Sequence, residues 1–237
     1  MVKTGRVQTA YGETAALEYD RRRFTSPSGL LFHKLEEQQL KAVLRKLSDK
    51  SSVLEVGCGT GRFAETVIKA NQDICCVEPS PHMIDIARNR YIELKKAPFL
   101  EAEGARLPFT SQTFDFTYSI RVLNQTESES YALEMVREMA RVTKPGGKVL
   151  VEFCNKWRPR KAGKQAVRLT VPEVLLALKS QSRLAEHRAT GILFLSETLL
   201  HKIPPRLLGI YMRFDQFLCR IWPQFAARCY ISAEISC

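Results

Sequence analysis

No stretch of the chain comes near the roughly 20 consecutive apolar residues that a membrane-spanning helix requires, and the opening MVKTGRVQTAYGETA holds no apolar signal core. Both absences predict an intracellular, cytoplasmic protein without a membrane span. The seven cysteines, at 58, 75, 76, 154, 219, 229 and 237, include no CxxC pair, which argues against a zinc site or dithiol chemistry and for reduced thiols. His33, His82, His187 and His201 stand alone in sequence, without ligand spacing, so no metal site is expected. Internal repeats and low-complexity tracts are absent too.

What is present suits a folded α/β protein. The 237 residues are 45% hydrophobic, enough for a proper core. Lys plus Arg 36 against Asp plus Glu 25 leaves +11, which favours an anionic substrate, an acidic membrane surface or nucleic acid without choosing among them.

Short β-rich runs alternate with helical patterns through the middle, the signature of crossover units on a parallel sheet. Strands are predicted at Ser52 to Val56, Ile74 to Glu78, Ala97 to Ala102, Phe114 to Ser119 and Lys148 to Phe153, with helices at Arg62 to Ala70, Pro81 to Leu94 and Glu127 to Val142. Lys144 to Gly147 (KPGG) reads as a turn that stops the last of these helices. Leu30 to Leu47 has a helical period and is expected across the sheet's edge or the mouth of a site. Thr170 to Glu173 is a capping box that opens the run VLLALKSQSRL. Gly191 to Leu195 and Cys229 to Ile235 complete seven strands.

The stretch VLEVGCGTGRF removes the side chains at Gly57, Gly59 and Gly61 between a strand and a helix, where α/β sheets hold nucleotide-like ligands against backbone N–H groups. The dinucleotide pattern GxGxxG fails at Arg62. What stands here is ExGxGxG, which resembles the first motif of the class I, Rossmann-like S-adenosylmethionine-dependent methyltransferases, in their small-molecule branch. Further segments follow in that family's order: CVEPSPHMIDIA, AEGARLPF, FDFTYSIRVLNQ and VREMARVTKPGGKVLVEF, together covering about residues 50 to 155.

The resemblance implies a seven-stranded, mostly parallel sheet with helices on both faces, an N-terminal helical segment and a helical insertion before the last strand. It divides the chain into a substrate-side cap, 1–48, and a methyltransferase domain, 49–237, with its motif core at 50–155 and acceptor-side additions at 156–226. S-adenosylmethionine is the implied cofactor. Gly57, Cys58, Gly59, Thr60 and Gly61 would face its methionine part and ribose, and Glu55 would orient the loop or the cofactor's ammonium. Glu78, 21 residues after Gly57, would accept the ribose hydroxyls, while Pro79, Ser80 and Met83 wall the adenine. Glu103, Gly104 and Ala105 occupy the adenine-amino segment, Ser119 and Ile120 end the fourth strand, and Tyr19 of the Tyr19-Asp20 pair lies beside the cofactor.

Tyr11, Arg121 and Asn124 are substrate-side candidates. Where many relatives carry histidine this chain has Asn124-Gln125, so no general base is assigned and the catalytic residues stay unknown. The expected reaction is direct methyl transfer to a small-molecule or lipid-like acceptor, without specific nucleic-acid binding. An RNA or protein methyltransferase using the basic surface, and a non-catalytic cofactor-binding relative, remain alternatives. NKWRPRKAGKQAVR, with Lys156, Arg158, Arg160, Lys161, Lys164 and Arg168, reads either as a solvated loop or as a basic lid over an anionic substrate. Arg206 to Trp222 carries apolar residues at 207, 210, 211, 214, 217, 218, 221 and 222. A core helix packed on the sheet is preferred there to an interfacial helix contacting a lipid-linked or apolar substrate, and peripheral membrane contact is kept as a partner reading.

Overall fold

The computed structural model describes residues 12–24, 27–90, 92–158, 166–194 and 205–236. Among these, seven strands form one sheet: β1 Ser52–Val56, β2 Asp73–Glu78, β3 Phe99–Glu101, β4 Phe114–Ser119, β5 Thr143–Cys154, β6 Leu184–Ile192 and β7 Arg228–Ile235. The order is β3-β2-β1-β4-β5-β7-β6, with every pair from β3 to β5 parallel and β7 antiparallel to both of its neighbours. The strand order reverses between β1 and β4, so a crevice opens at their carboxyl ends, where open α/β sheets place ligands.

Seven α-helices are described: α1 Glu13–Phe24, α2 Pro27–Leu44, α3 Ala64–Lys69, α4 Pro81–Arg90, α5 Glu129–Val142, α6 Val171–Lys179 and α7 Pro205–Ile221. The two faces of the sheet feed two cores. Val53, Phe116 and Leu150 pack with Leu40 and Val43 of α2 on one side, while Leu54, Val56 and Val149 pack with Met135, Val136 and Met139 of α5 on the other. Burying a side chain of that size is worth about 1.5–3 kcal/mol, and alternate strand residues supply one such side chain to each face. Caps set the helix starts: Ser128 accepts from the Tyr131 N–H, and Thr170 with Glu173 forms the expected capping box.

The departures from sequence expectation are local. α4 stops at Arg90 and a short 3₁₀ segment, Ile92–Lys96, follows it. KPGG lies inside β5, as an irregularity: Phe114 pairs with Thr143 but Phe116 pairs with Lys148. The run after α6 does not stay helical to Leu184, because α6 ends at Lys179 and Leu184 already pairs with Ile235 of β7. β6 therefore begins seven residues before the predicted Gly191 to Leu195 and shares only Gly191 and Ile192 with it, and Leu195 lies outside the described residues. Its outer segment, Ala185 to Arg188, is exposed and polar, so no apolar alternation announced it. α2 packs over the sheet's face through Leu40 and Val43 and not across its edge, while its Phe32 and Glu36 meet Arg121 beyond β4, in keeping with the other expected placement, at the mouth of a site.

The largest correction concerns α7. Its buried side is Asp215 and Cys219, with Tyr211 and Met212 packed against the core, while Phe214 and Phe217 face outward. Gly191 permits this seating, since a Cβ there would stand 2.4 Å from Ala226 and 3.3 Å from Cys219. Most of the apolar row that suggested a core helix is on the surface. No described helix is long and apolar enough to cross a membrane.

Candidate active site

A cavity opens at the carboxyl ends of β1, β2 and β4, where the loop after β1 turns back on β2. Gly57 and Cys58 donate their N–H groups to the Val77 carbonyl at 2.7 and 3.2 Å. Gly57 and Gly59 have φ of +79° and +52°, the left-handed region in which a side chain is strained. A Cβ at Gly57 would also stand 2.5 Å from Val122, whereas at Gly59 nothing lies within 4 Å and the backbone is open to the cavity. Gly61 turns the other way, toward Ala87 of α4 and Leu94, and is not in the lining.

Two buried acids border the loop. Glu78, at the end of β2, accepts from the N–H of Gly59 at 2.9 Å and of Ser80 at 3.1 Å. Burial nevertheless pushes its carboxyl up to about 7, the two N–H donors acting against that rise. Glu55 is more enclosed, and burial pushes it up to about 8, with the Tyr118 hydroxyl and Arg62 acting to lower it. Its Oε2 is buried without a well-formed hydrogen bond. An acid in that condition suits a cationic group such as an ammonium, which would return the charged form.

Of the sequence-predicted residues, Tyr19, Glu55, Gly57, Cys58, Gly59, Thr60, Glu78, Pro79, Met83, Glu103, Gly104, Ile120 and Arg121 line the cavity. Ser80 lies just outside, its hydroxyl accepting from the Met83 N–H at the start of α4. Ser119 donates to the Val56 carbonyl at 2.9 Å and clasps β4 to β1 from beneath. Ala105 packs with the second core, and Tyr11 falls outside the described residues. Asn124 turns from the cavity: its carbonyl accepts from the Val167 N–H and its Oδ1 faces Arg228 at 3.4 Å.

Arg62, Phe63, Val77, Val122, Gln125, Thr126, Tyr131 and Met135 line the cavity without having been predicted. Arg62 had a signal, since it is the residue that broke the GxGxxG pattern. Tyr131 and Met135 had none, because they reach the site from α5, a helix read only for its core face. Tyr131 donates its hydroxyl to Glu103, which engages the acid expected to reach an adenine amino group.

The Tyr19-Asp20 pair shows how α1 is held at the site. Asp20 accepts from the Thr60 hydroxyl at 3.0 Å and pairs with Arg90. Arg121 has φ +66° and is clamped by two acids: its N–H donates to Glu152 at 2.6 Å and its Nε to Glu36 at 2.5 Å. Glu152 also pairs with Arg228 at 2.7 Å, and both glutamates are fully buried. His33 packs against Phe63 with the rings tilted at 48°, and burial lowers it to about 4. Among the described residues, no cluster of His, Cys, Asp or Glu could hold a metal ion.

The description "Methyltransferase domain" belongs to the family model that matches residues 54–151. The demethylmenaquinone methyltransferase of Streptomyces griseus is 31% identical over 112 residues, covering 45% of this chain and 45% of that protein. The tRNA (carboxymethyluridine(34)-5-O)-methyltransferase alkbh8 of Xenopus tropicalis is 29% identical over 110 residues, 46% of this chain and 16% of that protein. Among solved structures, magnesium protoporphyrin IX methyltransferase (ChlM) from Synechocystis PCC 6803 with bound SAH shares the fold at a TM-score of 0.67 and 14% identity, covering 98% of each chain. The chain spans half or less of the length of the curated relatives it matches.

Fold and site thus define a Rossmann-like, S-adenosylmethionine-dependent methyltransferase domain. Residues 54–151 carry the match to the methyltransferase domain, and S-adenosylmethionine is the cofactor. The orphaned Glu55 oxygen, the open backbone at Gly59 and the carboxyl of Glu78 fit that molecule's ammonium, chain and ribose.

Proposed function

We propose that this chain transfers a methyl group from S-adenosylmethionine to a small-molecule or lipid-like acceptor. The observation that carries the reading is the convergence of Glu55, Glu78 and the open Gly59 backbone on one cavity at the strand-order reversal. S-adenosylmethionine supplies a methyl already activated on a sulfonium, so the protein's part is alignment and exclusion of water, worth roughly 7–11 kcal/mol when the reacting atoms are well oriented. Glu78 holds ribose hydroxyls, Glu55 faces the ammonium, and Pro79, Met83 and Ile120 supply apolar walls.

The lining favours an acceptor with apolar character over a polyanion. Phe63, Val122, Tyr131 and Met135 contribute much of it, and its two cations sit beside acids, Arg62 near Asp20 and Arg121 against Glu36. The basic stretch after β5 does not supply described free cations for a lid. Lys156 pairs with Glu129 and Glu173, Arg158 donates to the Leu193 carbonyl, and Arg168 donates to the Arg158 carbonyl. Arg160, Lys161 and Lys164 lie outside the described residues. The +11 charge and the likeness to a tRNA methyltransferase favour RNA as the second reading.

Calorimetry with S-adenosylmethionine and its demethylated product tests the donor side, where Glu78→Ala is expected to weaken binding by about tenfold or more. Undiminished affinity in that variant would remove Glu78 from the site. Labelled-methyl transfer at physiological salt then tests the acceptor. Greater incorporation into small-molecule and lipid extracts supports the proposal, and greater incorporation into total tRNA would replace it with the second reading.

A further inference from the structure

Helix α7 carries an exposed apolar stripe. Leu207, Ile210, Phe214, Phe217 and Ile221 recur every three or four residues, and Ile210, Phe214 and Phe217 are 69%, 54% and 57% exposed. The stripe continues past the helix into Trp222 and Phe225, with Trp157 edge-on to Phe225 at 6.4 Å. Surface hydrophobics are ordinary when scattered, but a contiguous row on one helix marks a surface that is covered in use.

Arginines flank that row. Arg206, Arg213 and Arg220 stand seven residues apart, about two turns, so they stack along one side of the stripe. All three are exposed and have no ion-pair partner among the described residues. The single acid of α7, Asp215, is buried on the opposite side and accepts from the Phe194 N–H at 3.2 Å. Arg220 opens onto a groove that also carries Arg45, Lys46 and Arg188, with Glu186 as its exposed acid. The face therefore combines an apolar strip about four turns long with cations along one edge.

We propose that this face of α7 docks on an anionic lipid surface, the stripe entering the acyl boundary and the arginine row meeting the phosphate headgroups. An amphipathic helix with Phe and Trp on one face and basic residues beside them lies in the plane of the interface in this way. Charge complementarity selects this occupant. A second copy of the chain would bring arginine rows together with no exposed acid on α7 to answer them. A polynucleotide would meet the arginines but leave Leu207, Ile210 and Ile221 without a favourable place. The proposal is independent of the acceptor's identity, since α7 does not line the cofactor cavity.

Vesicle flotation of the full chain tests it, with phosphatidylcholine vesicles compared with phosphatidylcholine–phosphatidylglycerol mixtures. The chain is expected to float with the mixed vesicles and stay behind with the neutral ones. Each arginine reversed in Arg206→Glu, Arg213→Glu or Arg220→Glu changes the charge by two and should lower partitioning roughly thirtyfold. Phe214→Ser with Phe217→Ser should lower it by at least about tenfold, at an unchanged melting temperature. If that pair melts early, Ile210→Ser, at the most exposed position of the stripe, serves in its place. Equal flotation with both vesicle types would overturn the proposal. So would a solution dimer that the Phe pair splits, or RNA binding that competes with vesicles and ignores loss of the phenylalanines.

Discussion

The glycine loop after β1 and helix α7 each present a regularly spaced row of residues, but the two rows meet opposite surroundings. Gly57 abuts Val122, Gly61 abuts Ala87 and Leu94, and the Gly59 N–H is held by Glu78, so the loop is fixed from several sides. The outer row of α7 touches little protein, and its polar Asp215 is the residue turned inward. In the loop, spacing coincides with function because strain and close approach leave few alternatives to glycine. In the helix, spacing establishes only that residues share a face. Which face meets the protein was decided by Gly191, Asp215 and Cys219, through packing and hydrogen bonding that periodicity does not encode.

The sharpest break in the fixed region should come at Arg121. Arg121→Met would leave the fully buried Glu36 without its guanidinium partner, while Glu152 keeps the backbone N–H of residue 121 and Arg228, and breaking such a buried pair costs about 3–5 kcal/mol. Urea unfolding checks this. A loss below about 1 kcal/mol would mean that Glu36 is readily neutralised by a proton or hydrated by water.

Next in size is a pH effect centred on Glu78. Its folded-state pKa is raised, from 4.5 to about 7, so its favourable contribution is complete below 4.5 and is lost as pH rises through about 7. For a shift of this kind the loss is at most roughly 3 kcal/mol in the cofactor-free protein. Glu78→Gln should flatten the decline of the urea midpoint across that window. Glu55 extends it toward about 8, and there the cofactor's ammonium should work in the opposite sense, so S-adenosylmethionine affinity is expected to increase with pH. Parallel stability profiles for wild type and Glu78→Gln would contradict the burial of that carboxyl.

A smaller contrast lies within the loop itself. Gly57→Val combines positive φ with a contact of 2.5 Å to Val122, and is expected to destabilise by about 3 kcal/mol and abolish cofactor binding. Gly59→Ala meets open space, so only backbone strain of about 1 kcal/mol applies to stability. Its methyl points toward the cavity region, and cofactor affinity should fall more than stability does. Calorimetry and thermal melts on the two variants separate the effects.

The legible part of the molecule was the part governed by local rules. β1 and β4 match their predicted bounds residue for residue, because short buried strands between turn signals leave little freedom. The loop and Glu78 were legible through glycine spacing and strand position. Tyr131, Met135 and Thr126 were not, since they arrive at the cavity through the packing of α5 and the segment before it. Asn124 was misplaced because the turn after β4 gives Arg121, not Asn124, to the cavity, with Arg121 in a left-handed conformation that no glycine advertised. β6 was mislaid for a similar reason: its polar Glu186-His187-Arg188 segment gains strand form from pairing with β7.

The smallest expected effect tests the comparison most directly. Phe116, on β4, is fully buried, and Phe116→Ala should cost about 3–5 kcal/mol through lost burial and the cavity left behind. Phe214 and Phe217 belong to the same residue type on a more strongly periodic segment, yet both stand more than half exposed. Replacing both by serine should therefore move stability by no more than about 0.5 kcal/mol each, with the sign set by small changes in helix propensity. A thermal melt of the double variant beside Phe116→Ala decides the matter. A loss approaching that of Phe116→Ala would mean that the outer row of α7 is covered by protein in solution and that the helix serves as scaffold. Near-neutral stability would leave the row free to act on something outside the chain.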